Sequence, residues 1–554
     1  PASVHDHRSP TASMRSTNGV SSASSSVSVT TSHIRSGATG TTEIERLRER
    51  KAGTSQVYPT NRSGNRRASG RDATLAPMSE QWESTHRVTD EMQRAFVEAS
   101  GDSNPLHTDP LAARRLPFGR VAVHGMHLAL DALDRLAALT ARPPRHVRCT
   151  FRRSVGIGDE LTTRITMTSD HDARIVVEHD VWPVADLRVE LGPATTRPID
   201  PDADVVDHDT VGRPAPGAAV DLPASALQTA TGAIDIVADL PALRPCCADL
   251  LHVAGPGAVT ELVSLTRLVG MYVPGLHSLF SSFDVTLRPA AVVPVVPVAT
   301  GRLQYRVSRY DERFAKVSID VTGDALDGTV VAFVRPRPVD PTIGTTRPRP
   351  DEFRGQRWLV VGGSRGLGAT AAMLLTAGGG DVRLTYRLGA ADAEALAASI
   401  GATARSLDVT EAGPGMEAVL ADDWHPTHLA YFASPPIFDG TGGAYSTQLE
   451  QRFASIYLDG FEAVLAHLAP DRLEGVLWPS TEAIDHDVPG LAEYATVKRR
   501  GEDRCAALAR AHAHLVVSTP RLPRLRTDQT ASFLPVDYDD APTIVLGALR
   551  AFSG

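Results

Sequence analysis

Two clusters of residues in this 554-residue chain are of types and spacings that can do chemistry. In the first, residues 101–109 read Gly-Asp-Ser-Asn-Pro-Leu-His-Thr-Asp, and Phe118–Met126 follows as Phe-Gly-Arg-Val-Ala-Val-His-Gly-Met. A carboxylate and an imidazole five residues apart can trade a proton, which is general acid–base chemistry. Asp, Ser, Asn and Pro also favour turns, so Asp102–Pro105 by itself reads as a turn. In the second cluster, Gly362, Gly366 and Gly368 follow an apolar run and open a helix. Small residues there let the backbone approach a pyrophosphate at the helix N-terminus. Further on, Tyr494 and Lys498 stand at i,i+4, a spacing that puts both on one helix face.

The elements that must carry these residues follow from periodicity. Asp90–Ser100 reads as a helix with Met92, Ala95, Phe96 and Ala99 on one face. Gly125–Thr140 reads as a long apolar helix, followed by strands over 145–151, 160–168 and 173–184. Residues 224–339 repeat this plan: a long helix over 259–272, then strands over 275–285, 299–308, 314–321 and 328–334. At one joint, Pro144-Arg-His-Val-Arg-Cys-Thr-Phe roughly matches Pro274-Gly-Leu-His-Ser-Leu-Phe-Ser, and His277 falls within one residue of the position of His146. After a Pro-, Arg- and Thr-rich stretch over 336–350, strand and helix alternate: 357–362, 367–377, 381–386, 428–433, 450–468 and 475–480. That alternation predicts a doubly wound parallel sheet.

Composition narrows the function classes. A net charge of −9 argues against a nucleic-acid binder. The four cysteines, Cys149, Cys246, Cys247 and Cys505, form no C-x-x-C pair, which fits free thiols in a reducing cytoplasm and no metal site. The most apolar run, 289–299, is too short to span a membrane and is broken by Pro294 and Pro297. No basic-then-apolar leader opens the chain, so the expected location is cytoplasmic. Residues 1–77 are Ser-, Thr-, Gly- and Arg-rich, apart from a charged, possible short helix over 43–51. They read either as a disordered tail or as translated upstream sequence, with Met78 a natural start.

The first cluster resembles the MaoC-like (R)-specific enoyl-thioester hydratases and dehydratases, whose D-x-N-P-x-H loop is followed by H-G-M at the start of the hotdog helix. The resemblance covers roughly 81–340 and implies a double hotdog with the motif in the first half only. It implies that Asp102 and His107 hold and activate the water, one removing its proton and the other delivering a proton to C2. It implies that the backbone N–H of Gly125 polarises the thioester carbonyl. His124 is then structural, and the second copy completes the sheet and shapes an acyl tunnel. One departure is that Gly125–Thr140 lacks the Ser some relatives carry.

The second cluster, over 355–554, resembles the short-chain dehydrogenases/reductases. The resemblance assigns Gly362, Ser364, Arg365, Gly366, Leu367 and Gly368 to the dinucleotide turn, Asp408 to the adenine and Thr527 to the segment covering the nicotinamide. Tyr494 becomes the proton donor, and Lys498 lowers its pKa and holds the nicotinamide ribose. Ser480 or Thr481 supplies the catalytic hydroxyl. The second strand ends at Tyr386-Arg387 without the acidic residue that binds a ribose diol, so Arg365 and Arg387 point to NADP(H) over NAD(H). The family's N-N-A-G reads here as Tyr431-Phe-Ala-Ser434, and Tyr457 stands at its helical Asn.

The expected fold is thus an α+β double hotdog followed by an α/β Rossmann domain. The expected organisation is a tail to 80, a catalytic hotdog over 81–215, a second hotdog over 216–340, a linker over 341–352 and a reductase-like domain over 353–554. The expected activity is a 3-hydroxyacyl-thioester dehydratase or enoyl-thioester hydratase joined to a 3-ketoacyl-thioester reductase, in fatty-acid or polyketide β-carbon processing. Its substrate is an acyl-CoA or acyl-carrier-protein thioester, and both folds point to a homodimer. The alternatives are a degradative hydratase with an NAD-dependent 3-hydroxyacyl-CoA dehydrogenase, and a non-catalytic acyl-thioester scaffold.

Overall fold

The structure is a computed structural model that describes residues 81–116, 118–194, 217–288, 301–438, 445–486, 488–532 and 536–553. The expectations for the first 80 residues and for the apolar run at 289–299 lie outside the described residues.

The first part of the described chain forms β1 (Gln81–Arg87), α1 (Asp90–Ser100), two short helices α2 (Pro105–Thr108) and α3 (Pro110–Ala113), and the long α4 (Gly125–Thr140). Strands β2 (Pro144–Phe151), β3 (Glu160–Met167), β4 (Asp172–His179) and β5 (Trp182–Leu191) follow. The hydroxyl of Thr89 caps α1 by accepting from Met92 N, and Gly101, at φ 69°, ends it. The single strand expected over 173–184 is instead the hairpin β4–β5. Asp180 adopts φ 56°, which turns the chain back on itself.

Next come β6 (Thr231–Asp235), α5 (Leu240–Ala254), α6 (Pro256–Arg267) and strands β7 (Ser278–Leu287), β8 (Arg302–Asp311), β9 (Lys316–Thr322) and β10 (Leu326–Val334). Sequence periodicity missed β1, β6 and α5. The first two are short edge strands, and Pro245 and a non-helical Cys247 interrupt α5. Helix α6 continues as a π-helical turn over Leu268–Tyr272.

These strands make one ten-stranded sheet in the order β1-β3-β4-β5-β2-β7-β10-β9-β8-β6, with every neighbouring pair antiparallel. Read outward from the central β2·β7 seam, the two halves have the same order. The sheet fits a hotdog. It wraps α4 and α6, and a single apolar core runs through both halves, from Val88 to Ala332. His146 sits inside β2 and bonds Asp284 at 2.6 Å, whereas His277 precedes β7 and lies 3.8 Å from Asp221. The two histidines are therefore not equivalent, contrary to the alignment of Pro144 with Pro274.

The C-terminal part contains β11 (Arg357–Val361), α7 (Gly366–Ala377), β12 (Asp381–Tyr386), α8 (Ala390–Ile400), β13 (Thr403–Ser406), α9 (Ala412–Val419) and β14 (His428–Tyr431). After these come α10 (Thr447–Ala454), α11 (Gly460–Leu468), β15 (Gly475–Leu477), β16 (Ser480–Thr481), α12 (Ala492–Ala511), β17 (Val516–Ser518), β18 (Arg521–Leu522) and α13 (Ala541–Leu549). Six strands pair in parallel in the order β13-β12-β11-β14-β15-β17. The order reverses between β11 and β14, and at such a point a crevice opens beyond the strands' carboxyl ends. The helix expected over 450–468 is interrupted by a π-helical turn, Ser455–Asp459, which carries Tyr457.

Candidate active site

The Asp102 segment is shaped by its own side chains. The Asn104 side-chain oxygen accepts from Leu106 N at 3.1 Å and so caps α2, with Pro105 in its first turn. The Asn104 amide nitrogen donates across to the second half, to Gly270 O at 2.7 Å, Gly275 O at 3.2 Å and Leu276 O at 3.3 Å. The loop is thus pinned onto the π-helical turn that follows α6.

His107 Nδ1 lies 2.8 Å from Ala122 O. A carbonyl can only accept, so Nδ1 carries the proton and Nε2 of the neutral ring is left with a free lone pair. The ring stacks on His124 at 3.7 Å between centroids. His124 is fully buried, with Nε2 on Asp102 O at 3.0 Å and Nδ1 on Gln93 Nε2 at 3.1 Å. Gln93 Nε2 also faces His107 O and Ala122 O, both at 3.2 Å. Asp102, His107 and His124 bring donor atoms within 4.8 Å of one another. With both ring nitrogens of His124 committed, His107 Nε2 is the ring nitrogen of this cluster left open beside the Asp102 carboxyl.

Asp102 is buried, and its Oδ2 accepts from Thr266 Oγ1 at 2.7 Å while Oδ1 accepts from Asn104 N at 3.3 Å. Its carboxyl group packs so closely on Gly270 that a Cβ there would fall 2.2 Å from Oδ1. Burial raises the Asp102 carboxyl above its ordinary range, against the opposing pull of His107 and the Thr266 hydrogen bond. Burial likewise lowers His107, against the pull of Asp102. Gly125 opens α4, where first-turn N–H groups lack helical partners. A Cβ on Gly125 would meet the Phe151 ring at 3.0 Å, a close fit at this helix end.

In the C-terminal part, Gly362, at φ +77°, lies so close to β14's end that a Cβ would sit 2.7 Å from Ala433 N. A Cβ on Gly368 would meet Gly362 O at 2.3 Å, and Gly366 starts α7 at φ +55°. The turn, with Ser364 partly exposed and Leu367 packed on the core, therefore keeps its backbone bare. Arg365 does not reach toward Arg387. Its Nη1 donates to Arg114 O at 2.7 Å and lies 3.4 Å from Asp528. Arg387 is 59% exposed and stands 3.8 Å from Asp408, whose Oδ1 accepts from the backbone and hydroxyl of Thr410. Thr527 bonds Thr530 and lies beside Gly366.

Of the two hydroxyls left open, Thr481 reaches Tyr494, while Ser480 donates to Glu502 at 2.5 Å. The expectation that Lys498 depresses the Tyr494 hydroxyl is overturned. Lys498 Nζ donates to Pro479 O at 2.8 Å and sits over the rings of Tyr457 at 4.0 Å and Trp478 at 4.3 Å. Burial pushes Lys498 down to about 7 and Tyr494 up to about 12. The Tyr457 ring lies over the ammonium, and its hydroxyl bonds Ser434 at 2.6 Å.

Comparison with known proteins bears on the first site. Residues 76–182 match the MaoC like domain. The 3-hydroxyacyl-thioester dehydratase X of Mycobacterium tuberculosis (strain ATCC 25618 / H37Rv) is 39% identical over 66 residues, 12% of this chain and 22% of that relative. The chain thus aligns with about a fifth of the length of this curated relative. Solved structures similar in part include ribose-5-phosphate isomerase from Brucella melitensis 16M, at 21% identity over 32% of this chain and 73% of that one, TM-score 0.30. A short chain dehydrogenase from Salmonella enterica subsp. enterica serovar Typhi str. CT18 is 18% identical over 38% of this chain and 94% of that one, TM-score 0.34. A putative short chain dehydrogenase from Escherichia coli CFT073, complexed with NADPH, is 19% identical over 37% and 94%, TM-score 0.32.

Sequence reasoning missed three residues at the MaoC-like domain's site: Gln93, Thr266 and Gly270. Thr266 has the clearest signal. It and Ser264 are hydroxyls in the stretch Ala258–Arg267, every residue of which is buried. Ser264 spends its hydroxyl on Thr260 O, whereas Thr266 donates outward to Asp102. The second half is therefore part of the site and does more than complete the sheet.

Proposed function

We propose that the N-terminal two-thirds is a double hotdog that dehydrates 3-hydroxyacyl thioesters, or hydrates 2-enoyl thioesters in reverse. The observation that carries this reading is the unprotonated Nε2 of His107, held by the Ala122 carbonyl beside the buried Asp102 carboxyl. In the dehydration direction, His107 Nε2 takes the proton from C2. The electron pair passes toward the thioester oxygen, where the N–H at Gly125 opposes the developing charge. Its return forms the C2–C3 double bond as the C3–O bond breaks. Asp102, whose hold on a proton burial strengthens, gives that proton to the departing hydroxyl, and water leaves. Proton return from His107 to Asp102 resets the pair.

The C-terminal third is proposed to be a Rossmann domain that binds a dinucleotide, with NADP(H) preferred. The bare glycine turn and the exposed Arg387 fit that ligand. Bound there, a nicotinamide would supply hydride. Tyr494 and Thr481 would hold the proton for a ketone oxygen, while the Lys498 ammonium lies under the Tyr457 ring. A ketoreductase step before the dehydration would place the whole chain in fatty-acid or polyketide β-carbon processing.

The test is a panel of enoyl and 3-hydroxyacyl thioesters, on CoA and on carrier protein, assayed with wild type, His107→Ala and Asp102→Asn. Loss of a general acid or base costs about 10²–10⁴-fold in rate. Enoyl-thioester absorbance should change with wild type only. Inactive wild type on both handles, or an unimpaired His107→Ala, would refute the proposal and favour the scaffold reading.

A further inference from the structure

Arg335, directly after β10, carries a charge that no carboxylate answers. It grips three successive carbonyls where the chain enters β7. Its backbone N–H donates to His277 O at 2.6 Å, Nε to Ser278 O at 2.7 Å and Nη2 to Leu276 O at 2.7 Å. All three acceptors are neutral. The side chain is partly buried, and burial pushes the guanidinium down to about 10, so it stays charged near neutral pH. Among the described residues it makes no ion pair. Asp221, which lies 3.8 Å from His277, is taken by Arg337 through two bonds of 2.7 Å. Burying a cation without a counter-charge costs free energy, and groups perturbed in this way concentrate at functional sites.

One of these carbonyls leads to the Asp102–His107 pair. Leu276 O accepts from Arg335 and also from Asn104 Nδ2, and Asn104 O in turn accepts from His107 N at 2.8 Å. Asn104 therefore joins the guanidinium to His107 through hydrogen bonds on both sides. Four groups face His107: Asp102 from its own loop, Gln93 from α1, His124 from α4 and Arg335 from the second half. Burial works against the imidazolium, Asp102 and the Ala122 carbonyl favour it, and the Arg335 charge opposes it. Arg267 of α6 faces Asp102 and not His107. Around Arg335 itself stand the fixed charge of Arg337 and one titratable ring, His277, which burial and then Arg335 push below its ordinary range.

We infer that Arg335 is a positioning residue of the dehydratase site: it fixes the carbonyl on which Asn104 is anchored, and its unanswered charge holds His107 in the unprotonated form whose Nε2 can take a proton. The inference rests on the dehydratase reading of Asp102 and His107 and adds a charge that the second hotdog half supplies. Arg335 moves no proton itself. Without its charge, a second proton enters the Asp102–His107 pair at higher pH. The proposed working state of the pair holds one proton, so its rate profile loses ground on the acid side.

The pH profiles of kcat and KM test it, measured on the full chain with the enoyl thioester that wild type turns over fastest in the panel above. Arg335→Gln keeps an amide donor and deletes the charge. Its acid limb should move to higher pH, with the alkaline limb and KM unchanged. Arg335→Lys keeps the charge and should restore the wild-type limb. His277→Gln removes the titratable ring beside Arg335 and should leave the limb in place. If Arg335→Gln does not fold, Arg335→Lys decides: an acid limb at the wild-type position supports the inference, and one moved up overturns it. An unmoved limb in Arg335→Gln overturns the inference: with lower thermal stability it makes Arg335 a structural clip, and with a raised KM it makes Arg335 a contact for the substrate. A limb that moves equally in Arg335→Gln and Arg335→Lys, or that moves in His277→Gln, overturns it as well. In all of these the dehydratase reading stands. No turnover of any thioester by wild type overturns both.

Discussion

Thr266 is the side chain whose replacement says most about the Asp102–His107 pair. Its hydroxyl donates to the buried carboxyl, which favours the carboxylate form. Thr266→Val keeps the shape and deletes the donor, so Asp102 should hold its proton to higher pH. In the proposed mechanism the pair shares one proton between two groups, so its rate should follow a bell-shaped pH profile. In Thr266→Val the limb set by Asp102 should move up, the other limb should stay, and kcat should fall by about tenfold, the worth of one hydrogen bond to a charged group. An unmoved profile with only lower stability would make Thr266 purely structural. Asp102, His107 and Gly125 could be read from the sequence because they fall within one short stretch of chain. Thr266 could not, because 164 residues separate it from Asp102. The same limit applied to Lys498: its spacing from Tyr494 was plain, but the ring that encloses it comes from a π-helical turn on another helix.

Helices α4 and α5 pack side by side, and Asp134 is where they are joined. Pro245 and the non-helical Cys247 disturb α5, and Leu250 N donates to Asp134 Oδ1 at 2.8 Å. The carboxylate thus takes a backbone donor at a broken turn. Burial pushes Asp134 up to about 7. The unfolded chain releases that proton near the ordinary carboxyl value, so between about pH 4 and pH 7 the folded state binds more protons than the unfolded. Stability should therefore fall as pH rises through that window and level off above it. Asp134→Asn keeps the acceptor and removes the titration. Its unfolding free energy should exceed that of wild type at pH 8 by on the order of 4 kcal/mol, and match it near pH 4. Equal shifts at both pH values would refute this. Helices α1 and α4 stood out in the sequence because their apolar stripes are unbroken. Helix α5 did not, because proline and a kink erase its period, and the β4–β5 turn is only two residues, Asp180 and Val181, between two runs rich in strand formers.

On the scale of the molecule, Asp528 ties the parts together. Only 6% exposed, it accepts from Arg115 Nε at 3.1 Å and from Val339 N at 2.6 Å and lies 3.4 Å from Arg365. It therefore holds the active-site loop, the connecting segment and the glycine turn at one point. Removing one partner of a buried ion pair costs about 3–5 kcal/mol. Asp528→Ala should separate the calorimetric unfolding of the N- and C-terminal parts, with the lower transition moving down by several degrees, and should expose the chain near Val339 to proteolysis. One unshifted transition would show that the parts are joined elsewhere. The change from an antiparallel to a parallel sheet was legible from strand spacing, but the docking of one part on the other was not, since it rests on isolated charges with no pattern.

The β2·β7 seam has a consequence for how the proposed site meets dilution. A site that borrows Thr266 and Gly270 from a second hotdog would, in two separate copies, exist only while the copies stayed associated. Here both come on one polypeptide, across strands paired from His146↔Thr286 to Thr150↔Ser282. Assembly of the site is a first-order event, and its completeness does not depend on how many molecules share the solution.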